Sequence, residues 1–159
     1  VTSKKYFGFQ IGGIAGAHSK CQALAIEAGL NGKFKPWLSS SKYWPDKNFY
    51  KSDVPYVTTA GIKVANDWLD LITDDGSGVF LNNSISVTED GVSTFGQPVW
   101  TGTDVYGMPS SGSGTFCDDW TLNTGKSWAG FGGLSKDSDW TSVSQFTCDS
   151  MLRLYCFEQ

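Results

Sequence analysis

The stretch GIAGAHSKCQALAIEAGLNGKFKPWLSS, residues 13–40, decides the reading of the fold. Its first half predicts a helix over about Ala15–Ala28. Ile14, Ala17, Cys21, Leu24, Ala25 and Ala28 recur at the three- and four-residue spacing that puts side chains on one helical face. Gly29 follows the last turn and suits a left-handed cap. Cys21 lies on the apolar stripe, so a covalent tie between this helix and the core is expected. The second half, KFKPWLS over Lys33–Ser39, predicts a strand anchored by Phe34 and Trp37. Pro36 has no N–H to donate, which argues for an edge or a strand end.

Working outward, Val1–Phe9 reads as a first strand that Gly12-Gly13 breaks. SSSKYWPDKNFYKSD, residues 39–53, mixes polar and aromatic residues and reads as a long loop. A second helix is predicted over about Gly61–Thr73. Ile62, Ala65, Trp68, Leu69 and Ile72 would share its face, Thr58 or Thr59 would cap it, and Asp74-Asp75-Gly76 would end it. From Val79 the pattern changes to short strands, at Ile85–Thr88, Pro98–Thr101, Phe116–Trp120 and Leu152–Phe157. Asp90-Gly91 and Tyr106-Gly107 read as turns, and SSGSG at 110–114 as a flexible loop inside the same domain. There is no internal repeat. Helices first and strands after give an α+β class, with residues 1–159 as a single domain.

Composition narrows the function classes. The chain has 159 residues, is 40% hydrophobic and 14% aromatic, and contains 19 Gly, which fits a real core joined by many tight turns. The formal net charge is -4, and Arg153 is the single Arg. No clustered basic face is available for nucleic acid. No run of about 18 apolar residues spans a bilayer. Any export signal or lipid anchor would lie upstream of Val1. Cys21, Cys117, Cys148 and Cys156 are even in number, have no paired metal-ligand spacing, and stand beside one His. Two disulfides in an oxidising compartment are expected. Four cysteines allow three connectivities, and composition does not choose among them.

Chemistry-bearing patterns are sparse. His18 is the only His, and no Gly-x-Ser-x-Gly elbow is present. The acidic pairs Asp67/Asp70, Asp74/Asp75, Asp118/Asp119 and Asp137/Asp139 offer the only carboxylates for glycosidase-type chemistry, and most adjoin turns. No catalytic residue is assigned and no enzyme activity is expected. No metal ligand and no cofactor is assigned. Asp46-x-Asn48 and Asp137-x-Asp139 carry hard oxygens, so a loop-built calcium site is the metal reading that the residue types leave open. The candidate ligand-binding residues are aromatic. Tyr43, Trp44 and Tyr50 stand among Lys42, Lys47 and Lys51, while Trp128 and Trp140 flank a Gly-rich stretch. Aromatics among polar neighbours are common anchors for protein or sugar; the competing reading is that Trp44 and Phe49 pin the loop to the core. An Asn-x-Ser sequon stands at Asn82.

An ordered series of segments resembles endostatin, the C-terminal fragment of a basement-membrane collagen. The segments are residues 13–40, VPYV at 54–57, DWLDLI at 67–72, VWTGTDVYG at 99–107, FCDDW at 116–120, Cys148, and LYCFE at 154–158. The chain also resembles bacterial endostatin-like domains, some of which occur in leptospiral surface lipoproteins that bind host matrix and plasma proteins. The resemblance implies a C-type-lectin-like α+β fold, with two helices packed on a mostly antiparallel twisted sheet. It implies nested disulfides, Cys21 to Cys156 and Cys117 to Cys148. It implies an extracellular or cell-surface adhesion domain, exported and lipid-anchored where an upstream segment supplies the anchor. Its partner would be a host or environmental protein or glycan. Zinc is not carried over, because Val1–Phe9 lacks the family's His cluster. Heparin is not carried over, because the Arg cluster is missing. The sugar-binding calcium motifs of true C-type lectins are absent as well. A carbohydrate-binding module and a structural capping domain of a larger surface protein are the alternatives.

Overall fold

The helix read from the opening stretch runs Gly13–Glu27 in the computed structural model, which describes residues 1–112, 116–132 and 136–159. Ala17, Cys21, Leu24 and Ala25 form its buried stripe. Its end is a Schellman motif. Gly29 takes φ 70 and donates its N–H to Ile26 O at 3.0 Å, and Leu30 N–H reaches back to Ala25 O at 2.8 Å.

In chain order the elements are β1 (Tyr6–Phe7), α1 (Gly13–Glu27), β2 (Phe34–Pro36), α2 (Pro45–Asn48), β3 (Tyr56–Val57), β4 (Lys63–Ala65), α3 (Trp68–Ile72), β5 (Gln97–Trp100), β6 (Lys126–Gly132), β7 (Ser144–Thr147), β8 (Met151–Leu154) and β9 (Cys156–Glu158). Short 3-10 turns occupy Gly8–Gln10 and Ser138–Trp140. Five strands make one sheet in the order β1-β8-β5-β6-β7. The β5–β8 pair is parallel, and the other pairs are antiparallel. Two ribbons stand beside it, β2 with β9 and β3 with β4. The molecule is mixed α+β.

The buried residues form two clusters. Ile11, Ala17, Leu38, Trp100, Trp120, Leu152 and Leu154 pack between α1 and the sheet. Trp37, Phe49, Trp68, Trp140, Tyr155 and Phe157 fill the space under the ribbons. Two disulfides clamp these layers. Cys21 on α1 joins Cys156 on β9, and Cys117 joins Cys148. This is the nested pairing that the resemblance implies.

Several expectations are corrected. Residues 61–73 do not form one helix. Gly61, at φ 75, closes the β3–β4 turn, in which Thr58 N–H donates to Ile62 O at 2.9 Å. Thr58 therefore serves the hairpin. The real cap of α3 is Asp67, whose Oδ1 accepts from Asp70 N at 2.8 Å. Ile62 and Leu69, assigned to a buried face, are 44% and 68% exposed, while Trp68 and Leu71 are buried. Phe116–Trp120 is not a strand but a tight turn with φ between 46 and 69. Left-handed backbone is costly outside Gly. Here the Cys117 disulfide holds it, as does Trp120, which is fully buried and donates Nε1–H to Ser39 O at 2.8 Å. Ile85–Thr88 supplies only an isolated bridge, Val87 to Ser93. The loop at residues 39–53 contains the single turn of α2. Of the expected SSGSG loop, Ser110–Gly112 are described, and the remainder lies outside the described residues.

Candidate functional site

The five aromatic candidates do not converge. Trp140 is fully buried. Its ring lies 4.9 Å from Trp37 and 5.7 Å from Tyr155, and its carbonyl accepts from Tyr155 Oη at 2.9 Å. It belongs to the core and offers no stacking face. Trp44 is half-buried at the start of α2, where Pro45 occupies the first helical turn. Lys47 Nζ sits 4.8 Å over its ring. Lys51 Nζ sits 3.8 Å over Trp68 and donates to Asp46 Oδ1 at 2.5 Å. The lysine–aromatic mixture in this loop is thus partly cation–π pairing that holds the loop together. Phe49 is buried, as the core-pinning reading expects. Trp128 lies half-buried on β6 opposite Gln145, with Nε1–H on Ser111 O at 3.3 Å. Tyr50 alone among the five stands out, at 68% exposed.

Tyr43 meets His18. The imidazole Nε2 lies 3.3 Å from Tyr43 Oη, and the rings meet edge-on at 5.5 Å. Burial pushes the phenol up to about 12. Burial also lowers the His18 imidazole below its ordinary value, and the Lys35 ammonium adds to this. The folded chain therefore prefers the neutral ring. The contribution of this preference is complete above the unfolded value of about 6.5. It declines as pH falls from there through the lowered folded value, because the unfolded chain takes the proton first. Since His18 is the only His, its ring-proton NMR titration is unambiguous. A midpoint below about 6.5 is expected; a midpoint at or above it would refute burial as the controlling influence.

Several of the paired carboxylates serve caps and turns. Asp67 caps α3. Asp70 Oδ2 accepts from Asn66 N at 2.6 Å, and from Asn66 Nδ2 and Asn82 Nδ2. The sequon residue Asn82 thus has its amide engaged. Asp74 accepts from Gly76 N at 2.6 Å. Asp75 accepts from Ser77 Oγ and N, which hold its carboxyl below the usual range. Asp119 accepts from Ser41 N at 2.7 Å and from Ser41 Oγ at 2.5 Å. Asp137 accepts from Asp139 N at 2.9 Å, and burial followed by the Asp137 charge raises Asp139. Of the two calcium candidates, Asp46 already faces the Lys51 ammonium. Among the described residues, no three of His, Cys, Asp and Glu gather as a metal-holding group.

A groove of about 500 Å³ lies between β9 and the 50–59 segment. Tyr50, Val54, Tyr56, Val57, Ile85 and Phe157 line it. Val54 and Val57 are 61% and 59% exposed. Tyr56 packs edge-on against Phe157 at 5.7 Å, which fixes one wall to the other. A pit of about 40 Å³ shares Leu30, Phe34 and Cys156 with the groove and reaches the Cys21–Cys156 bridge. Tyr50 is the one sequence-selected aromatic that borders the groove. The valines of VPYV were the missed signal, because a Val-rich segment reads as core.

No family model matches the chain, and no curated protein matches it. No helix among the described residues is long and apolar enough to cross a membrane.

Proposed function

We propose that this chain is an extracellular or cell-surface binding domain that recognises a macromolecule, such as a host matrix or plasma protein, on an endostatin-like, C-type-lectin-like scaffold. The observation that carries the reading is the exposed apolar groove beside Tyr50, Val54 and Val57, set on a frame clamped by two disulfides. Apolar and aromatic surface at a rigid concavity is the usual anchor of a protein interface. Asp67, Asp74, Asp75 and Asp137 are engaged as local cap and turn acceptors. The disulfides and the lack of a membrane-spanning helix among the described residues are compatible with an exported domain.

Solid-phase binding to laminin, fibronectin, collagen and plasma regulators tests this reading, with an unrelated disulfide-intact domain as control. Saturable binding to one of them is the expected result. Binding to none at micromolar concentration would overturn the host-protein reading. The carbohydrate alternative draws on the 68% exposure of Tyr50. A glycan array with and without calcium separates the two; a hit that Tyr50→Ala abolishes would favour the sugar.

A further inference from the structure

We infer that the outer edge of β9 is a docking edge for an extended peptide strand, which joins the β2–β9 ribbon and lays alternate apolar side chains into the adjoining groove. This deepens the binding role proposed above and rests on that reading for the partner's being a protein.

The register identifies the main-chain groups that face outward. Phe34 lies opposite Glu158, Lys35 opposite Phe157 and Pro36 opposite Cys156. Trp37 N–H donates to Tyr155 O at 3.0 Å, and Gln159 N–H to Lys33 O at 2.8 Å. Bonded and non-bonded pairs alternate along an antiparallel ladder. Residues 33, 35 and 37 therefore bond to 159, 157 and 155. Cys156 and Glu158 then aim their N–H and C=O away from β2. The same parity turns Phe34 N–H outward on β2, and there Gln22 Oε1 accepts it at 3.0 Å. On the β9 side the cover is partial. Among the described residues, no backbone group bonds to Cys156 or Glu158 on that side, and Glu158 O meets only the Gln159 Nε2 beside it, at 2.8 Å.

An unpaired strand edge is a template for another strand. Side chains of an added strand alternate between faces, so every second one would enter the groove between Val54, Val57 and Phe157. Glu158 is the one charged side chain among the described residues that line the groove, and Asp53, next to the wall, is exposed. The partner that fits has apolar residues at alternate positions and a Lys or Arg at an end. A glycan supplies neither the main-chain ladder nor the apolar side chains.

The probe is a synthetic acetyl-Lys-Val-Thr-Val-Thr-Val-Lys-amide, followed by amide NMR on the disulfide-intact protein. Saturable shifts at the Cys156 and Glu158 amides are expected. Methylating the peptide nitrogens that face β9 preserves the side chains and removes the ladder, so affinity should fall by about tenfold or more. Val54→Ser with Val57→Ser alters only exposed positions, removes apolar surface without adding charge, and should weaken binding. Silence at Cys156 and Glu158, or equal binding of the methylated peptide, would overturn the inference. So would β9 shifts that grow with protein concentration alone, which would assign the edge to a second copy. Matrix-protein binding without a β9 response would remove the docking edge and leave the wider reading standing. Peptide binding without matrix-protein binding would do the reverse.

Discussion

Replacing Cys21 and Cys156 together by Ala is expected to cost about 4–5 kcal/mol of stability, more than replacing Cys117 and Cys148. The bridge spans a sequence separation of 135 residues, against 31 for the other. In the chain-entropy view a cross-link restricts the unfolded chain, and the restriction grows with the logarithm of the closed loop. The shorter bridge then contributes about 3–4 kcal/mol. Folded domains are stable by only about 5–15 kcal/mol, so the outer bridge is a large share of the total. Ala is the right replacement because Cys21 is 1% exposed, and a buried hydroxyl would add a separate penalty. In calorimetry, the midpoint should fall by about 8–20 °C for the outer pair, and by less for the inner one. An equal loss, or the opposite order, would show that native contacts around the sulfurs outweigh loop length.

The parts of the fold that were legible are those where the local signals agreed. In α1 the apolar spacing and Gly29 agree, and the helix ends in a Schellman motif at that Gly. In β2, Phe34 marks the strand, and Pro36 marks its end. The segment at 61–73 failed because two signals competed. Its apolar spacing fits a helix, yet Gly61 closes a hairpin and Asp67 starts a new turn, so burial passes to Trp68 and Leu71. β6 stayed hidden for a different reason. Gly in a run such as SWAGFGG reads as a turn. A Cβ on Gly130 would lie 1.9 Å from the Trp140 carbonyl oxygen, so close backbone approach, not a bend, requires this Gly. The same crossing explains why Trp140 is core rather than surface. The groove was illegible because its walls come from segments about 100 residues apart, and its valines look like interior residues until the pairing of β9 shows which edge is open.

Trp37→Ala is the point substitution expected to cost most, about 3–5 kcal/mol. Trp37 is fully buried, and its ring contacts Phe49, Trp68, Trp140 and Phe157 at centroid distances of 4.9–6.0 Å. It is therefore the hub that joins the β2–β9 ribbon, α3 and the Ser138–Trp140 turn. It also anchors a buried hydroxyl network. Trp37 Nε1–H donates to Thr141 Oγ1 at 2.8 Å, and Thr141 Oγ1–H donates to Thr103 O at 2.9 Å. Thr103 Oγ1–H donates to Thr101 O at 2.7 Å, and Ser39 Oγ lies 2.8 Å from Thr103 Oγ1. Truncation would open a cavity and leave Thr141 without its donor in a site that water does not reach. Trp37→Phe separates these two losses, because it keeps most of the ring contact while removing the N–H. That variant should lose about 1–3 kcal/mol, the cost of an unsatisfied buried acceptor together with a smaller ring. Urea unfolding with an unchanged m-value would measure both. If Trp37→Phe lost as much as Trp37→Ala, the hydroxyl network rather than ring packing would hold the ribbon to the sheet. If neither lost more than about 1 kcal/mol, the ribbon would not depend on Trp37 for its hold on the core.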